Sequence, residues 1–564
     1  MDFFKIKKTY YSAKRFQEIV NVFIKHGFGQ IIDQIHLGRF IALKKRIKTF
    51  GRWPYYKITA PERLRIAFEE LGPTFIKLGQ LLSSRPDLVT IAYAQEFKKL
   101  QDRVAPFESE KIYEVIEKEL GVSIEKVFHS INPEPIGSAS IAQVHEAVLK
   151  DGKEVIVKVR RPGIKQQIML DLTILHNLAK LIEKYIPESK IFDPIGIVEE
   201  FSRAITKEID FRREASNAIV FRENFKDSPN VYIPYVFKEF TTEKILVMEK
   251  VKGVRIDDVE SLNKKGFNIE RLLNNLIEMY FKQIFDHGFF HADPHPGNIL
   301  VMDNSSIALI DFGIVQRIDE EFKEIYANIA LAIINQNTDK LINEYLKLGI
   351  IPEEIDKEKL KRELKEDLED LLFPLYTYKI EEIRISELIE SIMKVALKHR
   401  LRFLPELLLI DKVLIMLEGL TRELCPKISI IELLKPYAKK IISKRLQPDF
   451  YLKKTLKALN EFKEAAVNIP FQLKTLLRKA VKDEITIRMY HVNLPEFIKD
   501  IDKASNKISF ALIVSAMILS SAIMHAAEVK PLVHGISVFG LITGIFAFFL
   551  GLWLIISIIR SGKL

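Results

Sequence analysis

The chain has 564 residues, 48% of them hydrophobic and 28% charged, with a formal charge of +10. That length and apolar content allow several domains with ordinary cores. The single cysteine, Cys425, excludes an intrachain disulfide and fits a reducing compartment.

The charge is not spread evenly. Residues 1–60 hold thirteen Lys or Arg against three Asp or Glu, a net of +10, so the other 504 residues sum to zero. A basic N-terminus in a chain with an apolar C-terminus points to anionic lipid headgroups. Nucleic acid is not expected as a partner, because zinc-finger spacing, an RNP motif and a basic-region zipper are all missing. The apolar run Ile19–Ile24 contains Asn21 and is too short for a signal peptide. Phe16, Ile19, Val20, Phe23 and Ile24, then Ile31, Ile32 and Ile35, recur at helical spacing and predict two helices within 12–50, broken at Gly27 and Gly29. Residues 61–130 read as further helices.

The pattern changes after residue 130. Gln143–Leu149 and Glu154–Arg160 alternate as strands around a Lys150–Lys153 turn. The loop before them offers one glycine for phosphate approach, Gly137, followed by Ser138, Ala139 and Ser140. Lys158, on the second strand, suits the α- and β-phosphates of a nucleotide if it points inward; otherwise it is an edge-strand lysine. Residues 193–226 return to helix and supply Glu208, Asp210 and Glu214. Glu208 and Glu214 are six apart and cannot share one helix face, so at most one pairs ideally with Lys158. Lys244–Val251 reads as a short strand, Asn268–His287 as an apolar helix, and 320–500 as almost wholly helical.

The sharpest signal is His291–Leu300, HADPHPGNIL, followed by Leu309–Gly313, LIDFG. Asp293, Asn298 and Asp311 stand five and thirteen residues apart, the intervals between the catalytic aspartate of a kinase and its two Mg²⁺ ligands. Asp293 would orient an acceptor hydroxyl or take its proton. Asn298 and Asp311 offer the oxygen ligands that Mg²⁺ prefers. The rival is a zinc hydrolase built on His291, Asp293 and His295; the lack of a third nearby His or Cys and the fit of Asn298 and DFG weigh against it.

At the C-terminus, Ile508–Ala527 and Pro531–Ile559 are uncharged runs of twenty and twenty-nine residues. They predict a transmembrane hairpin, with spans at 508–527 and 537–559. Lys499, Lys503 and Lys507 before it and Arg560 and Lys563 after it put both ends, and the large N-terminal body, on the cytoplasmic side of the inner membrane. Gly540 and Gly544 form a GxxxG step, suited to packing the hairpin or two copies. A homodimer through that step or through the basic N-terminal helices stays open.

Together these motifs resemble the UbiB/AarF family of atypical kinase-like proteins. The carrying residues are Lys77-Leu78-Gly79-Gln80 (KxGQ), the Ala-rich loop Ser138–Gln143, Lys158, Glu208-x-Asp210 (ExD), His291–Asn298 and Asp311-Phe312-Gly313. The resemblance runs from about residue 12 to 320 and extends to the C-terminal spans. It implies an α+β, protein-kinase-like two-lobed fold. A basic helical extension with KxGQ would occupy 1–130, the N-lobe 131–251, and the C-lobe with a helical extension 252–500. It implies ATP and Mg²⁺ as cofactors, with Gly137, Ser138, Ala139, Ser140, Ile141, Ala142 and Gln143 over the nucleotide. Glu214 becomes the partner of Lys158, and Met248-Glu249-Lys250 the segment that contacts adenine. Lys77, Gly79 and Gln80 would act with Glu208 and Asp210 as a regulatory set where a protein kinase admits a peptide. The family is associated with biosynthesis of ubiquinone and related isoprenoid lipids, so precursors of those lipids, or the enzymes that handle them, are the expected partners. Ala292 replaces the arginine of protein kinases, and Ser138 stands where many members carry alanine.

Overall fold

The computed structural model describes residues 3–35, 58–85, 88–100, 106–186, 189, 193–335, 337–350, 357–377, 384–399, 401–445, 494–533 and 536–560. The chain divides into two compact units, Met1–Leu452 and Lys453–Leu564.

The first unit opens with helices α1 (Phe3–Lys25), α2 (Gly29–Gln34), α3 (Ala60–Leu71), α4 (Pro73–Ser83) and α5 (Ile91–Phe97). The break expected at Gly27 and Gly29 is present, with Gly27 at φ 86°. Residues 36–50 of the expected second helix lie outside the described residues. The Thr59 hydroxyl accepts from Glu62 N at 3.4 Å and starts α3. Gly72, at φ 89°, ends it one residue before Pro73 opens α4.

Helix α6 (Ser109–Leu120) precedes a five-stranded antiparallel sheet. Its strands are β1 (Phe128–Ile131), β2 (Gly137–Ser138), β3 (Ala142–Leu149), β4 (Glu154–Arg160) and, further along, β6 (Ile245–Glu249). The order is β1-β3-β4-β6, with β2 paired to β3. Val155, Val157 and Val159 are fully buried in one cluster with Ile112 and Ile116 of α6. Strand alternation then places Lys158 on the opposite face. Helix α6 therefore shares the core of this sheet.

Among the described residues, three α-helices lie between β4 and β6: α7 (Ile164–Tyr185), α8 (Pro194–Glu208) and α9 (Phe211–Asn224). The hydrophobic faces of α1–α4 share one core with α7 and α8, and Ile141 of the Ala-rich loop belongs to it. A buried polar knot fastens this layer. Asp171 of α7, fully buried, accepts from Arg15 at 2.8 and 3.1 Å and from the Thr74 hydroxyl at 2.7 Å. Gly79 is the close-approach residue of α4: a Cβ there would lie 2.2 Å from Leu100 Cδ1 and 3.0 Å from Phe68.

The C-lobe adds short strands β5 (Val231–Tyr232) and β7 (Val254–Arg255), helix α10 (Ile269–Phe281), then β8 (Phe289–His291), β9 (Ile299–Val301), β10 (Ile307–Leu309) and β11 (Val315–Arg317). A sheet in the order β5-β10-β9-β7 and a β8–β11 pair carry the loops of interest. The helix expected over Asn268–His287 changes type at Phe281. Lys282–His287 is a π-helical turn, closed by Gly288 at φ 61°. A Cβ on Gly288 would sit 2.8 Å from Ile318 O, so the chain can double back into β8 only with glycine there.

Helices α11 (Glu320–Ile334), α12 (Thr338–Leu348), α13 (Lys357–Thr377), α14 (Ile385–Lys398), α15 (Pro405–Leu424) and α16 (Ile430–Arg445) complete the unit and share the C-lobe core. The helical expectation for this region holds, apart from a two-strand contact between 349–350 and 402–403; residues 446–493 lie outside the described set. A cavity of about 60 Å³ opens among α11, α14, α15 and α16, with Asp411 in its otherwise largely apolar wall.

In the second unit, α17 (Leu494–Ala526) and α18 (Val538–Arg560) pack as a hairpin. Both are long and apolar enough to cross a membrane, over Ser505–Ala526 and Val538–Ile555. The Ser521 hydroxyl donates to Gly540 O at 2.6 Å, and a Cβ on Gly544 would lie 2.8 Å from Ser521 Oγ. The GxxxG step is therefore used inside the hairpin.

Candidate active site

Lys158 stands at the centre. Its Nζ lies 2.8 and 2.9 Å from the two carboxylate oxygens of Glu214 and 3.3 Å from Asp311 Oδ2. Glu214 sits in the first turn of α9, which Asp210 starts by accepting from Arg212 N at 3.2 Å. That cap turns Glu214 inward, where it is buried. Burial alone would lower the Lys158 ammonium, but the carboxylates of Asp311 and Glu214 outweigh it and hold the group above the usual lysine range. Burial would likewise raise Asp311; the Lys158 charge and the Gly313 N–H bring it down to about 2. Glu214 is the group left raised, because burial and the neighbouring Asp311 exceed the pull of Lys158.

Asp311 is aimed by its neighbours. Gly313 N donates to its Oδ1 at 2.8 Å. Phe312 is fully buried, with ring centroids 5.5 Å from Phe221 and 6.2 Å from His291. Asn217 of α9 donates to Phe312 O at 3.0 Å, so the helix that supplies Glu214 also holds the DFG backbone.

His291 is the hinge pin of the catalytic loop. Its Nε2 lies 2.6 Å from Asp311 O, and its Nδ1 accepts from Asp293 N at 3.2 Å. Burial holds the imidazole below its usual range, which matches one donor and one acceptor nitrogen. His295 Nδ1 accepts from Gly297 N at 3.0 Å. Both histidines order the loop, and His291 has no ring nitrogen left for a metal, which removes the zinc-hydrolase arrangement.

Asn298 and Asp311 come together through the β9–β10 hairpin, which pairs Ile299 with Leu309 and continues as Ile310 N donating to Asn298 O at 3.1 Å. The hairpin end thus presents a carboxylate and an amide side by side, an oxygen donor set suited to Mg²⁺. Asn298 Nδ2 donates to Asp293 Oδ2 at 3.3 Å, leaving its oxygen for a cation.

Lys77 reaches Glu208 at 2.6 Å, joining α4 to the end of α8. Asp210, besides capping α9, takes the Arg212 guanidinium at 2.9 and 2.8 Å. The Gln80 carbonyl accepts from the Ser83 hydroxyl at 2.7 Å. Arg161 donates to Ala139 O and to the Ser138 hydroxyl, both at 2.8 Å, and so braces the Ala-rich loop from β4. Ser140, Ile141, Ala142 and Gln143 are buried, and Gln143 Oε1 accepts from Phe107 N at 3.1 Å; Gly137 lies on β2 with open space around it. Met248 is buried in the C-lobe core, while Glu249 accepts from the Tyr232 hydroxyl at 2.6 Å and Tyr235 N at 3.0 Å. The segment expected beside adenine is thereby held through contacts within the protein.

Several contributors have no motif to announce them: Asn217, Phe221, Arg161, Gln283, whose Oε1 accepts from His291 N at 2.9 Å, and Lys412 of α15, whose Nζ lies 3.1 Å from Asp293 Oδ1.

A lysine–glutamate pair between strand and helix, a DFG carboxylate beside it and a catalytic loop below define a protein-kinase-like fold, extended by helical layers of its own. The description "ABC1 atypical kinase-like domain" matches residues 99–345, the "UbiB helical domain" 368–429 and the "ABC1/UbiB kinase-like C-terminal domain" 492–560. A Clostridium pasteurianum protein, described only as uncharacterized and lying in the hydrogenase 1 5′ region, is 36% identical over 98% of this chain and 100% of its own. The probable protein kinase UbiB of Marinobacter nauticus is 36% identical over 74% of this chain and 76% of its own; that of Vibrio cholerae is 30% identical over 94% and 97%. The solved complex of Rv3197 with erythromycin from Mycobacterium tuberculosis shares 23% identity, covers 65% of this chain and 96% of its own, and has a TM-score of 0.41. The chain belongs to the ABC1/UbiB family of atypical kinase-like proteins.

Proposed function

We propose that this chain is a membrane-tethered, Mg²⁺-dependent ATPase or small-molecule phosphotransferase that serves the synthesis of ubiquinone or a related isoprenoid quinone. The observation that carries the reading is the Lys158–Glu214–Asp311 cluster above the Asp293–Asn298 loop. Bound Mg-ATP would supply the phosphoryl group and the neutralising cation; the chain supplies position and charge. Lys158, steadied by Glu214, would take the α- and β-phosphates. Asn298 and Asp311 would hold the metal; Asp311 is a carboxylate at any pH above about 4. Asp293 would orient the acceptor hydroxyl or a water and take its proton at a carboxylate oxygen. The two apolar C-terminal helices and the basic first sixty residues support a location at the cytoplasmic face of the inner membrane, beside lipid-soluble precursors.

The test is Mg-ATP hydrolysis by the full-length protein, with and without liposomes of anionic lipid carrying a quinone-precursor mimic. Turnover that rises with lipid supports the reading. Tight nucleotide binding with no turnover under any condition defeats it in favour of a nucleotide-switched scaffold.

A further inference from the structure

We propose that Lys412, from the helical layer outside the kinase-like domain, is a positioning residue for Asp293, so that the active site is complete only with α15 in place. The inference rests on the assignment of Asp293 as the catalytic aspartate.

Three observations carry it. First, the loop His291–Asn298 contains no lysine or arginine, and Ala292 precedes Asp293. Among the described residues, the cation at the Asp293 carboxylate is Lys412, at 3.1 Å from Oδ1, while Asn298 Nδ2 donates to Oδ2 at 3.3 Å. The two oxygens are thus held from opposite sides, one by the loop itself and one by a helix 119 residues away. Second, Lys412 is not an ordinary surface lysine. Ile410 and Val413 beside it are fully buried, and Asp411 is 5% exposed. These buried neighbours seat α15, so the helix fixes where the Lys412 side chain begins its reach to Asp293. Third, α15 is tied to the same region again: Gln316 of β11 donates to Glu406 in its first turn at 3.2 Å, and β11 pairs with β8, pairing Val315 with His291. The helix therefore touches both the catalytic loop and the strand after DFG.

Lys412 and Asp293 are each about a third exposed, at 33% and 30%. An ion pair so open to water does little for stability. Its effect falls on direction: which way the carboxylate points when an acceptor arrives. A misaimed catalytic group loses turnover more than nucleotide affinity.

The experiment compares wild-type full-length protein with Lys412→Met and Lys412→Arg, reading kcat and KM for Mg-ATP and, without nucleotide, hydrogen exchange of the amides from 293 to 298. Lys412→Met is expected to lower kcat by about 100-fold with KM within about threefold, and to speed loop exchange several-fold. Lys412→Arg recovers a large share of both. Should the methionine variant fail to fold, Lys412→Gln replaces it. A kcat within twofold of wild type overturns the proposal, as does unchanged loop exchange, since Lys412 would then not act through Asp293. If the wild type shows no turnover, exchange alone decides: a loosened loop keeps Lys412 as a positioning residue while the ATPase reading falls.

Discussion

Two lysine–glutamate pairs meet the same short stretch of chain, six residues apart, and differ in everything but chemistry. Glu208 takes Lys77 at 2.6 Å with its side chain 29% exposed; Glu214 takes Lys158 at 2.8 Å with 6% exposed. The first joins the N-terminal extension to α8. The second joins a strand of the N-lobe to α9 and has Asp311 beside it. In the open pair, Glu208 keeps access to water, so removing Lys77 leaves a solvated carboxylate. In the closed pair, removing the lysine leaves a carboxylate with no route to solvent. A third carboxyl sharpens the contrast. Asp411 is as buried as Glu214 but takes the Tyr326 hydroxyl at 2.8 Å, and burial lifts it to about 7.

The largest expected effect lies where the closed pair meets the metal donors. Asp311→Asn should cut Mg-ATP hydrolysis by about 1000-fold or more, read as initial rate against Mg²⁺ concentration. A residual rate within tenfold of wild type would remove Asp311 from the metal site. Lys158→Met comes next, at about 100-fold in turnover and about 3–5 kcal/mol in stability, because Glu214 stays behind. Adding Glu214→Leu should return the stability and none of the turnover. A double variant no more stable than the single would break the account of the buried pair.

Asp411 tests burial without a cation. Its carboxyl ionises near 3.8 in an unfolded chain and near 7 in the fold. Between those values the fold holds the extra proton, so stability falls as pH rises through the window, by up to about 4 kcal/mol. Asp411→Asn should flatten that slope when melting is compared at pH 5 and pH 8; parallel profiles for the two proteins would contradict the shift. The smallest effect belongs to the open pair: Lys77→Ala should cost no more than about 1 kcal/mol by chemical denaturation. A loss equal to that of Lys158→Met would mean that exposure does not separate the two pairs.

Asp293, Asn298 and Asp311 were legible in the sequence because their geometry is local: one loop and one hairpin bring them together, and spacing along the chain reports it. The β3–β4 hairpin was legible for the same reason. Glu214 was harder. Spacing left it level with Glu208, and only the resemblance separated them; the structural reason is the Asp210 cap, which turns α9 so that Glu214 faces Lys158. Lys412 was not legible, since a lysine in an apolar helix carries no sign of which loop lies opposite. The π-helical turn was also hidden, because Lys282–His287 continues the apolar pattern of α10 and departs only where Gly288 must pass Ile318. The apolar C-terminal hairpin was read from charge-free length, while the use of Gly540 inside it depended on Ser521, a residue no motif flags.

The setting of Phe312 has a pharmacological consequence. Its ring fills the space between Phe221 and His291, and its carbonyl is held by Asn217. A compound that works by pushing this phenylalanine out would open a hole of aromatic size, forfeiting about 3–5 kcal/mol, or more than two orders of magnitude in affinity. Selective inhibitors of this protein are therefore better sought among molecules that leave the ring seated and compete for the footprint proposed for the nucleotide.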